Sequence, residues 1–305
     1  MPELPEVESI KNSLKPNITG KIIKDIDILS SKNFVGNKKD VIGNKITSVY
    51  RYGKVLVFKL EKLDKLYNYL NIHFKLSGQM LYAKNINNAI FENPIPFTGG
   101  NKMPANTTRV IIKFTDNSAI FFNDLRKFGW IKISKQPLIP KGIDVLDKRF
   151  TPILIKLLTH KTRRPVKVLL MDQDLITGIG NIYANDSLYL AGIHPQRKSN
   201  SLNESEIKKL HKAIIEEIKK GVKDKGSSGA DEAFILPDGS RGNHQRSFLV
   251  YQRDGKLCKK CKTIIKKVPT LPLVILNFPL VILNFPLVIL NKVKDLATKR
   301  SVKYY

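Results

Sequence analysis

The chain begins Met1-Pro2-Glu3-Leu4-Pro5-Glu6-Val7-Glu8, and the interpretation of the whole sequence starts from this octapeptide. Because the side chain of Pro2 is small, we expect Met1 to be removed, which leaves Pro2 with a free secondary amine. An α-amino group has a pKa of about 7.7–8.0, so part of it is unprotonated at neutral pH and can form a Schiff base with a carbonyl carbon. The iminium of a secondary amine cannot lose its charge, so it withdraws electrons strongly. Glu3 and Glu6 could then serve as a general acid and a structural carboxylate.

The same octapeptide also fits the start of a helix without any chemistry. Proline favours the first helical turn, and glutamate suits the positive end of the helix. The segment from Pro5 to Leu14 is predicted to be a short amphipathic helix, with Val7 and Ile10 on its apolar face. These eight residues alone favour the structural interpretation, and three later stretches reverse that preference.

Composition and charge limit the class of protein. The chain has 305 residues, enough for two domains with a real core. Lys and Arg number 53 against 26 Asp and Glu, a net charge of +27, and nucleic acid is the commonest partner of such a chain. A lysine-rich proteome from an A·T-rich genome is the alternative explanation. The acidic start is unlike a signal peptide, so we expect a cytoplasmic protein.

The first half of the chain predicts a β-sandwich or barrel, because short segments rich in Ile, Val, Phe and Tyr alternate with period two. The predicted strands are Lys21–Leu29, Lys45–Tyr50, Val55–Leu60, Tyr69–Phe74, Arg109–Phe114, Ala119–Phe122 and Trp130–Ser134. Gly99–Thr107 is predicted to be a polar loop. We therefore expect a sandwich domain over residues 1–135 and a linker over 136–150.

From Pro152 the apolar residues recur with helical period. The predicted helices are Pro152–Thr159, Pro165–Asp172, Asn181–Ala191 and Glu204–Val222, which define a helical domain over residues 151–225. Residues 226–246 are expected to form a glycine-bearing loop region, in which Gly226–Gly242 is too irregular to pack. A strand over Ser247–Gln252 is predicted to lead to Cys258 and Cys261, in a last region over 247–305.

Three stretches carry chemistry. Arg51-Tyr52-Gly53-Lys54 lies at a turn between strands, where Gly53 permits a sharp turn and Lys54 can point into a cleft. Asp124-Leu125-Arg126-Lys127-Phe128-Gly129 follows a strand. An arginine and a nearby aromatic side chain can enter a DNA duplex together. Thr177 to Ala184 runs from a glycine-rich turn into a helix, whose free N–H groups can bind a phosphate. Each stretch also has a plain structural interpretation: a solvated lysine, an ordinary hairpin and a capped buried helix.

Together these stretches resemble one family. The octapeptide, Gly53-Lys54, Asp124 to Gly129, and Gly178 to Ala184 with Ala191-Gly192-Ile193-His194-Pro195 have the order and spacing seen in formamidopyrimidine-DNA glycosylase, a bacterial base-excision repair enzyme. The resemblance covers Met1 to about Lys267. It implies an α+β fold: an N-terminal helix and β-sandwich, a helix–two-turn–helix domain and a zinc-finger β-hairpin, which is degenerate here. The Pro-Glu-Leu-Pro start is more similar to this enzyme than to its sister, the endonuclease VIII type.

The resemblance implies a reaction on damaged double-stranded DNA by a monomer. An oxidised purine such as 8-oxoguanine is flipped out of the duplex. Pro2 attacks the sugar, Glu3 transfers protons, Lys54 assists base loss and strand cleavage, and the strand is cleaved by β,δ-elimination. The other positions that match family site residues are Glu6, Asp186 and Arg300 for catalysis, and His73, Leu76, Arg126, Phe128, Arg163, Lys167, Asn181 and Tyr251 for DNA binding.

The chain departs from the family pattern in two regions. Where the family has His-Leu-Gly-Met-Ser-Gly, this chain has His73-Phe74-Lys75-Leu76-Ser77-Gly78, so an apolar wedge remains but Lys75 replaces a glycine. Asp186 replaces a glutamate and is one methylene shorter. The family finger holds zinc with four cysteines. Cys258 and Cys261 supply the first pair, and no cysteine follows them, so a closed zinc site is not expected.

In place of the second cysteine pair, Pro272–Asn291 repeats Pro-Leu-Val-Ile-Leu-Asn-Phe with a seven-residue period. A membrane span is one interpretation of its length. The recurring Pro and Asn argue against a span and against a coiled coil, so a tandem expansion inside the hairpin is favoured. After it, Arg300 matches the finger arginine of the family. Two other functions stay open: a DNA-binding relative with impaired catalysis, and an endonuclease VIII-like glycosylase acting on oxidised pyrimidines.

Overall fold

The first helix begins where the sequence predicts it. Helix α1 (Leu4–Ile18) starts at a capping box, in which the side chain of Glu3 caps the first turn and Glu6 Oε2 accepts a hydrogen bond from the N–H of Glu3 at 2.9 Å. Pro5 lies in the first turn, where its missing N–H costs nothing. The computed structural model describes residues 1–62, 67–229 and 234–267.

Thirteen strands and four further helices follow in the described residues. The strands are β1 (Ile23–Ile28), β2 (Phe34–Val35), β3 (Lys45–Tyr52), β4 (Val55–Glu61), β5 (Tyr67–His73), β6 (Gly78–Ala83), β7 (Ile90–Ile95), β8 (Gly100–Lys102), β9 (Thr108–Phe114), β10 (Ala119–Asp124), β11 (Trp130–Ser134), β12 (Ile143–Asp144) and β13 (Ile176–Thr177). The helices are α2 (Pro152–His160), α3 (Val166–Leu170), α4 (Asn181–Ala191) and α5 (Glu204–Lys223). A 3-10 turn covers His244–Ser247.

Two sheets form the predicted sandwich. One has the strand order β1-β9-β10-β6 and the other β2-β11-β5-β4-β3. A single apolar cluster contains residues of both sheets, such as Ile112 and Phe122 from the first and Phe58 and Ile72 from the second, and α1 adds Leu14 to it. The mixed α+β architecture with an N-terminal helix is therefore confirmed.

Helices α2 to α5 surround a second apolar cluster. Tyr183 and Leu188 of α4 pack there with Leu210 and Ile214 of α5, and Leu4 of α1 joins them from the first half of the chain. Strand β12, inside the segment predicted to be a linker, forms a short parallel pair with β13 in this half. Helix α1 thus contributes to both clusters, which brings the N-terminal residues to the boundary between sandwich and helices.

Two predictions about the later chain are wrong. The segment after Gly226 does pack: Phe234 and Leu236 are buried in the sandwich cluster, and Tyr82 of β6 donates its N–H to Pro237 at 2.8 Å. Ser247–Gln252 is not a strand. Its N–H groups at 249–251 bond to the carboxylate of Asp186 instead of a neighbouring strand, and Gln252 has a φ of 52°.

Other differences concern short elements. The predicted polar loop at Gly99–Thr107 contains β8, which pairs with β7, and the sequence also failed to predict β2 and β6. Within the described ranges, no helix has the length and apolar character needed to cross a membrane. The repeat at Pro272–Asn291 and Arg300 lie outside the described residues.

Candidate active site

The carboxylate of Glu3 lies at the N-terminus of α4. Its Oε2 accepts a hydrogen bond from the N–H of Gly180 at 2.8 Å, and its Oε1 accepts one from Ile182 at 2.9 Å. The first N–H groups of a helix have no partner within the helix, so a carboxylate there satisfies them and interacts favourably with the helix dipole. A Cβ on Gly180 would come within 2.3 Å of the Glu3 carboxyl carbon, so only glycine leaves room for this contact.

Burial changes the protonation of Glu3. Only 2% of the residue is exposed, and this desolvation raises the pKa of Glu3 from 4.5 to about 7. The charge of Glu6 raises the pKa further, whereas Lys54 and the N–H of Ile182 lower it. Glu3 is therefore protonated in part of the molecules at neutral pH, as a general acid must be.

Lys54 is a second buried ionisable residue, and its charge and that of Glu3 influence each other. It lies in the turn between β3 and β4, directly after Gly53, whose φ is +56° and whose Cα faces Thr177 of β13 too closely to allow a side chain. Burial lowers the pKa of Lys54, and the charges of Glu3 and Glu6 oppose this effect. A lysine in such surroundings holds its proton less firmly than a solvated one, which suits proton transfer.

Glu6 links three parts of the site. Its Oε1 accepts hydrogen bonds from the hydroxyl of Tyr183 at 2.8 Å and from the N–H of Ser227 at 2.9 Å, while its Oε2 accepts the N–H of Glu3. All of its contacts are structural. Of the two roles that the sequence offered for Glu3 and Glu6, Glu6 thus has the geometry of the structural carboxylate.

Pro2 directly precedes this pair and is buried. In a chain that retains Met1, the nitrogen of Pro2 is part of a peptide bond. Removal of Met1 converts it into a secondary amine one residue from a partly protonated carboxyl group. This neighbourhood has the three groups that Schiff-base chemistry requires: a nucleophilic amine, an acid and a second basic group.

A second group of residues lies on two turns joined by one carboxylate. Asp124 at the end of β10 is fully buried, and its side chain accepts hydrogen bonds from the hydroxyl of Ser77, from the N–H of Arg126 at 3.2 Å and from the N–H of Gly129 at 2.7 Å. The hydroxyl of Ser77 also accepts the N–H of Arg126 at 3.0 Å. The turn that bears Leu76 is thereby fixed beside the turn that bears Arg126 and Phe128.

These two turns expose the predicted wedge side chains. Phe128 is 55% exposed and Leu76 is 38% exposed, although both are large and apolar. Arg126 between them is exposed as well. Lys75 has a φ of 51°, which is the left-handed region that its glycine counterpart would adopt without strain. Exposed apolar side chains next to an arginine, held on turns of fixed position, are suited to enter the stack of bases in a duplex.

His73 lies at the start of the same turn. Its Nδ1 accepts the N–H of Lys75 at 3.0 Å, and burial, together with the charges of Lys75 and Lys54, lowers its pKa to about 3. The ring is therefore neutral at physiological pH, with its proton on Nε2, and can donate one hydrogen bond.

The predicted phosphate-binding residues lie at the start of α4, on α3 and just before α3. Asn181 is the first residue of α4 and is exposed. Lys167 of α3 is half-buried, and desolvation lowers its pKa, with Glu3 opposing and Lys267 reinforcing the shift. Arg163 is exposed just before α3. Lys167 thus belongs to the electrostatic surroundings of Glu3.

Comparison with known proteins matches both halves of the chain to one family. Residues 1–131 match the family model for the formamidopyrimidine-DNA glycosylase N-terminal domain, and residues 142–232 match the formamidopyrimidine-DNA glycosylase H2TH domain. A formamidopyrimidine-DNA glycosylase of Geobacillus kaustophilus is 34% identical over 279 residues, which are 87% of this chain and 93% of that protein. The chain belongs to the formamidopyrimidine-DNA glycosylase family.

Further relatives support the membership. The formamidopyrimidine-DNA glycosylase of an Exiguobacterium species is 31% identical over 86% of this chain and 92% of its own length. The crystal structure of the Thermus thermophilus enzyme matches with a TM-score of 0.75 at 28% identity, over 87% of this chain and 92% of that chain. A Lactococcus lactis member in complex with abasic-site DNA matches with a TM-score of 0.73 at 27% identity, over 88% and 94% of the two chains.

In this member of the family, Asp186 makes its hydrogen bonds away from Glu3. The side chain is fully buried on α4, and its two oxygens accept the N–H groups of Leu249, Val250 and Tyr251 at 2.9 to 3.0 Å. Burial raises the pKa of Asp186 and these hydrogen bonds lower it in part. Its contacts fix the segment before the cysteines, which includes Tyr251, and none of its hydrogen bonds leads to the Glu3 site.

The two cysteines form a tight turn. Cys258 is buried, and the N–H of Cys261 and the hydroxyl of Tyr189 approach its sulfur at 3.5 and 3.2 Å, which lowers the pKa of Cys258 to about 6. A structural zinc site needs four ligands. In residues 1–62, 67–229 and 234–267, no group of three or more His, Cys, Asp or Glu side chains could hold a metal. The described residues therefore do not fit a closed zinc site, and no step below depends on a metal.

Sequence reasoning missed two residues behind the site. The hydroxyl of Tyr183 contacts Glu6, and its ring stacks on His244 with centroids 5.1 Å apart. His244 is fully buried between Glu217 at 3.1 Å and Asp224 at 3.0 Å; burial alone would lower its pKa, but these carboxylates raise it. His244 follows Gly242-Asn243 in a polar stretch that gave no local signal for this role.

Proposed function

We propose that this protein is a base-excision repair DNA glycosylase and abasic-site lyase that acts on duplex DNA containing oxidised purines, such as 8-oxoguanine and formamidopyrimidines. The observation that carries the proposal is the position of Glu3. Its carboxyl group has a pKa of about 7, adjoins Pro2 in the chain, is bound at the start of α4 and is influenced by the charge of the buried Lys54.

The proposed reaction begins at the amine of Pro2. Its lone pair forms a bond to C1′ of the sugar while the bond from C1′ to the base breaks. The proton that the Pro2 nitrogen then loses neutralises the departing base, and Lys54 assists this departure. Glu3 donates its proton to O4′ as the sugar ring opens, which leaves an iminium between Pro2 and C1′. The iminium acidifies C2′, so loss of a C2′ proton expels the 3′ phosphate, and a second elimination expels the 5′ phosphate.

The exposed turns are proposed to make the damaged base accessible to Pro2. A base inside a duplex cannot reach Pro2, so it must leave the stack, and the gap must be filled. Leu76 and Phe128 are the apolar groups proposed to fill it, and Arg126 is proposed to contact the opposite strand. Lys167, Asn181 and Arg163 are proposed to bind the phosphates on either side of the extruded nucleotide, with His73 as a further donor.

Crystal structures of relatives contain DNA with two kinds of damaged base. Lactococcus lactis members of the family have been crystallised with DNA that contains Fapy-dG and with DNA that contains an oxidised pyrimidine. Residues 1–135 are proposed as the catalytic domain and residues 151–225 as the DNA-binding domain. Zinc, if bound through Cys258 and Cys261, requires ligands beyond the described residues.

The test is chemical trapping. Protein shown by mass spectrometry to lack Met1 is incubated with an 8-oxoguanine duplex and borohydride, in parallel with an abasic-site duplex, an oxidised-pyrimidine duplex and an undamaged one. The matched control is the same protein with an uncleaved N-terminal extension, which converts the Pro2 amine into an amide. A covalent adduct with the 8-oxoguanine duplex, absent from the control, is the expected result.

Two outcomes would replace the proposal. An adduct formed faster with the oxidised pyrimidine would support the endonuclease VIII-like specificity. Salt-sensitive binding of damaged DNA without adduct on any duplex would indicate a DNA-binding relative without catalysis.

A further inference from the structure

One guanidinium group joins the elements that carry the proposed catalytic residues. Arg51 at the end of β3 is almost fully buried, with 8% of its side chain exposed. Its Nε donates to Glu8 Oε2 at 2.7 Å, its Nη1 donates to Asp144 Oδ2 at 2.6 Å, and the same Nη1 donates to the carbonyl of Gly53 at 2.9 Å. Arg51 therefore contacts α1, β12 and the turn that precedes Lys54.

The turn at Gly53 is fixed through both of its peptide groups. Arg51 binds the carbonyl oxygen of Gly53, and Asp144 Oδ2 accepts the N–H of Gly53 at 2.9 Å. The next residue in the chain is Lys54. Since Gly53 has a φ of +56° and could otherwise adopt many conformations, these contacts select one direction for the Lys54 side chain.

The two carboxylate partners belong to different parts of the site. Glu8 lies on α1, five residues after Glu3 and two after Glu6. Asp144 lies on β12, which pairs with β13 at Thr177, and β13 leads through Gly178 to the start of α4. The carbonyl of Gly178 accepts the N–H of Leu4 at 3.1 Å. Arg51 thus connects the helix of Pro2 and Glu3, the turn of Lys54 and the loop of Gly180.

Arginine is suited to this arrangement in a way that lysine is not. The guanidinium is planar and offers several N–H donors in fixed directions, so it can bind two carboxylates and a carbonyl at once. An ammonium group is a single point charge on a flexible chain. Removal of the guanidinium would leave the partly buried Asp144 without this ion pair and Glu8 with Lys11 alone, and the two carboxylates would move apart or towards water.

We propose that Arg51 is a positioning residue that fixes the turn of Lys54 relative to the helix of Glu3 in the geometry required for the chemical step. The inference rests on the proposed function, because it concerns the same reaction. Arg51 does not contact the proposed DNA-binding turns at Leu76 and Phe128. Its loss therefore slows the chemistry and leaves the affinity for DNA nearly unchanged.

The experiment separates binding from chemistry. Arg51→Met, Arg51→Lys and Asp144→Asn are compared with the wild type in single-turnover trapping on an 8-oxoguanine duplex, which requires loss of the base. The Kd for the same duplex is measured without borohydride on the form of each protein that keeps an uncleaved N-terminal extension and cannot react. The matched control is Arg149→Met, which removes an arginine paired with Asp147 on the surface. Thermal unfolding reports whether each variant is folded at the assay temperature.

We expect the rate of the reaction to fall while the affinity for DNA is retained. Arg51→Met lowers the single-turnover rate about 100-fold, the order of loss expected when a reacting group is misplaced by about 1 Å, with Kd within about threefold of the wild type. Arg51→Lys and Asp144→Asn fall between Arg51→Met and the wild type, because each retains part of the network. Arg149→Met matches the wild type in both quantities.

The outcomes that overturn the inference are distinct from failure of the proposed function. If the wild type forms no adduct, the proposed function fails. If the wild type forms the adduct and folded Arg51→Met forms it at the same rate, or loses affinity as much as rate, the positioning role is wrong. Should Arg51→Met not fold, Asp144→Asn decides: a wild-type rate in that variant rejects the role, and a reduced rate at unchanged Kd supports it.

Discussion

Among single residues, Glu3 gives the clearest prediction of how the stability of the fold depends on pH. Its pKa is 4.5 in the unfolded chain and about 7 when folded. Between these values the folded protein keeps a proton that the unfolded chain has lost. The free energy of unfolding therefore falls as pH rises from 4.5 to about 7, by up to about 3 kcal/mol from this group, and it is constant above that range.

The measurement compares urea unfolding of the wild type and Glu3→Gln at pH 5 and pH 8. The glutamine variant cannot release a proton, so its unfolding free energy should increase relative to the wild type by up to about 3 kcal/mol between the two pH values. All other titrating groups are shared and cancel in this comparison. Parallel pH dependence of the two proteins would show that Glu3 titrates normally.

Lys75 gives a prediction about backbone strain. Its φ of 51° lies in the left-handed region, where a residue with a Cβ is strained by about 1 to 2 kcal/mol. Lys75→Gly removes this strain but adds entropy to the unfolded chain, so we expect a net gain of about 0.5 to 1 kcal/mol in unfolding free energy. Lys84→Gly is the control, an exposed lysine without positive φ, and should be destabilising. A loss of stability in both variants would contradict the prediction.

At the scale of elements, the hydroxyl of Ser77 joins the two turns that bear the wedge residues. Ser77→Ala removes its hydrogen bonds to Asp124 and Arg126 and should lower the unfolding free energy by about 1 kcal/mol. Ser118→Ala is a matched control, because Ser118 is also buried and bonds to a turn aspartate, Asp116, in the hairpin between β9 and β10.

The two serine variants should differ in DNA binding. Ser77→Ala loosens the turn of Leu76 beside that of Phe128, so we expect the Kd for a damaged duplex to rise about 5- to 10-fold, which corresponds to about 1 to 1.4 kcal/mol. Ser118→Ala should bind like the wild type. Fluorescence anisotropy with a labelled duplex measures both, and equal affinities would show that the contact between the turns does not shape the DNA-binding surface.

At the scale of the whole molecule, the net charge of +27 predicts strongly salt-dependent DNA binding. Each phosphate contact contributes about −0.9 to the slope of log K against log salt. Lys167→Gln should therefore make the slope less steep by about one, whereas Lys39→Gln, an exposed lysine outside the proposed contacts, should not change it. Titrations between about 50 and 200 mM salt measure the slopes, and identical slopes would remove Lys167 from the phosphate contacts.

The sandwich and its family could be predicted from the sequence for a physical reason. Alternation of apolar residues is a local property, so β4, β9 and β11 follow from segments of five to seven residues without knowledge of their partners. The capping boxes at Glu3–Glu6 and Asn203–Glu206 are equally local. The motifs around Pro2, Lys54, Arg126 and Asn181 identified the family in the same way.

Distant contacts could not be predicted in this way. The amino-acid sequence by itself determined which residues alternate, which turns need glycine and which functional groups are present, because these depend on near neighbours. Only the tertiary structure decided that Glu3 bonds to α4, that Arg51 joins Glu8 to Asp144, that Phe234 enters the sandwich core and that Asp186 prevents a strand at 249–251. Each of these contacts joins residues dozens of positions apart, and no local pattern records which remote group will satisfy a buried charge or N–H.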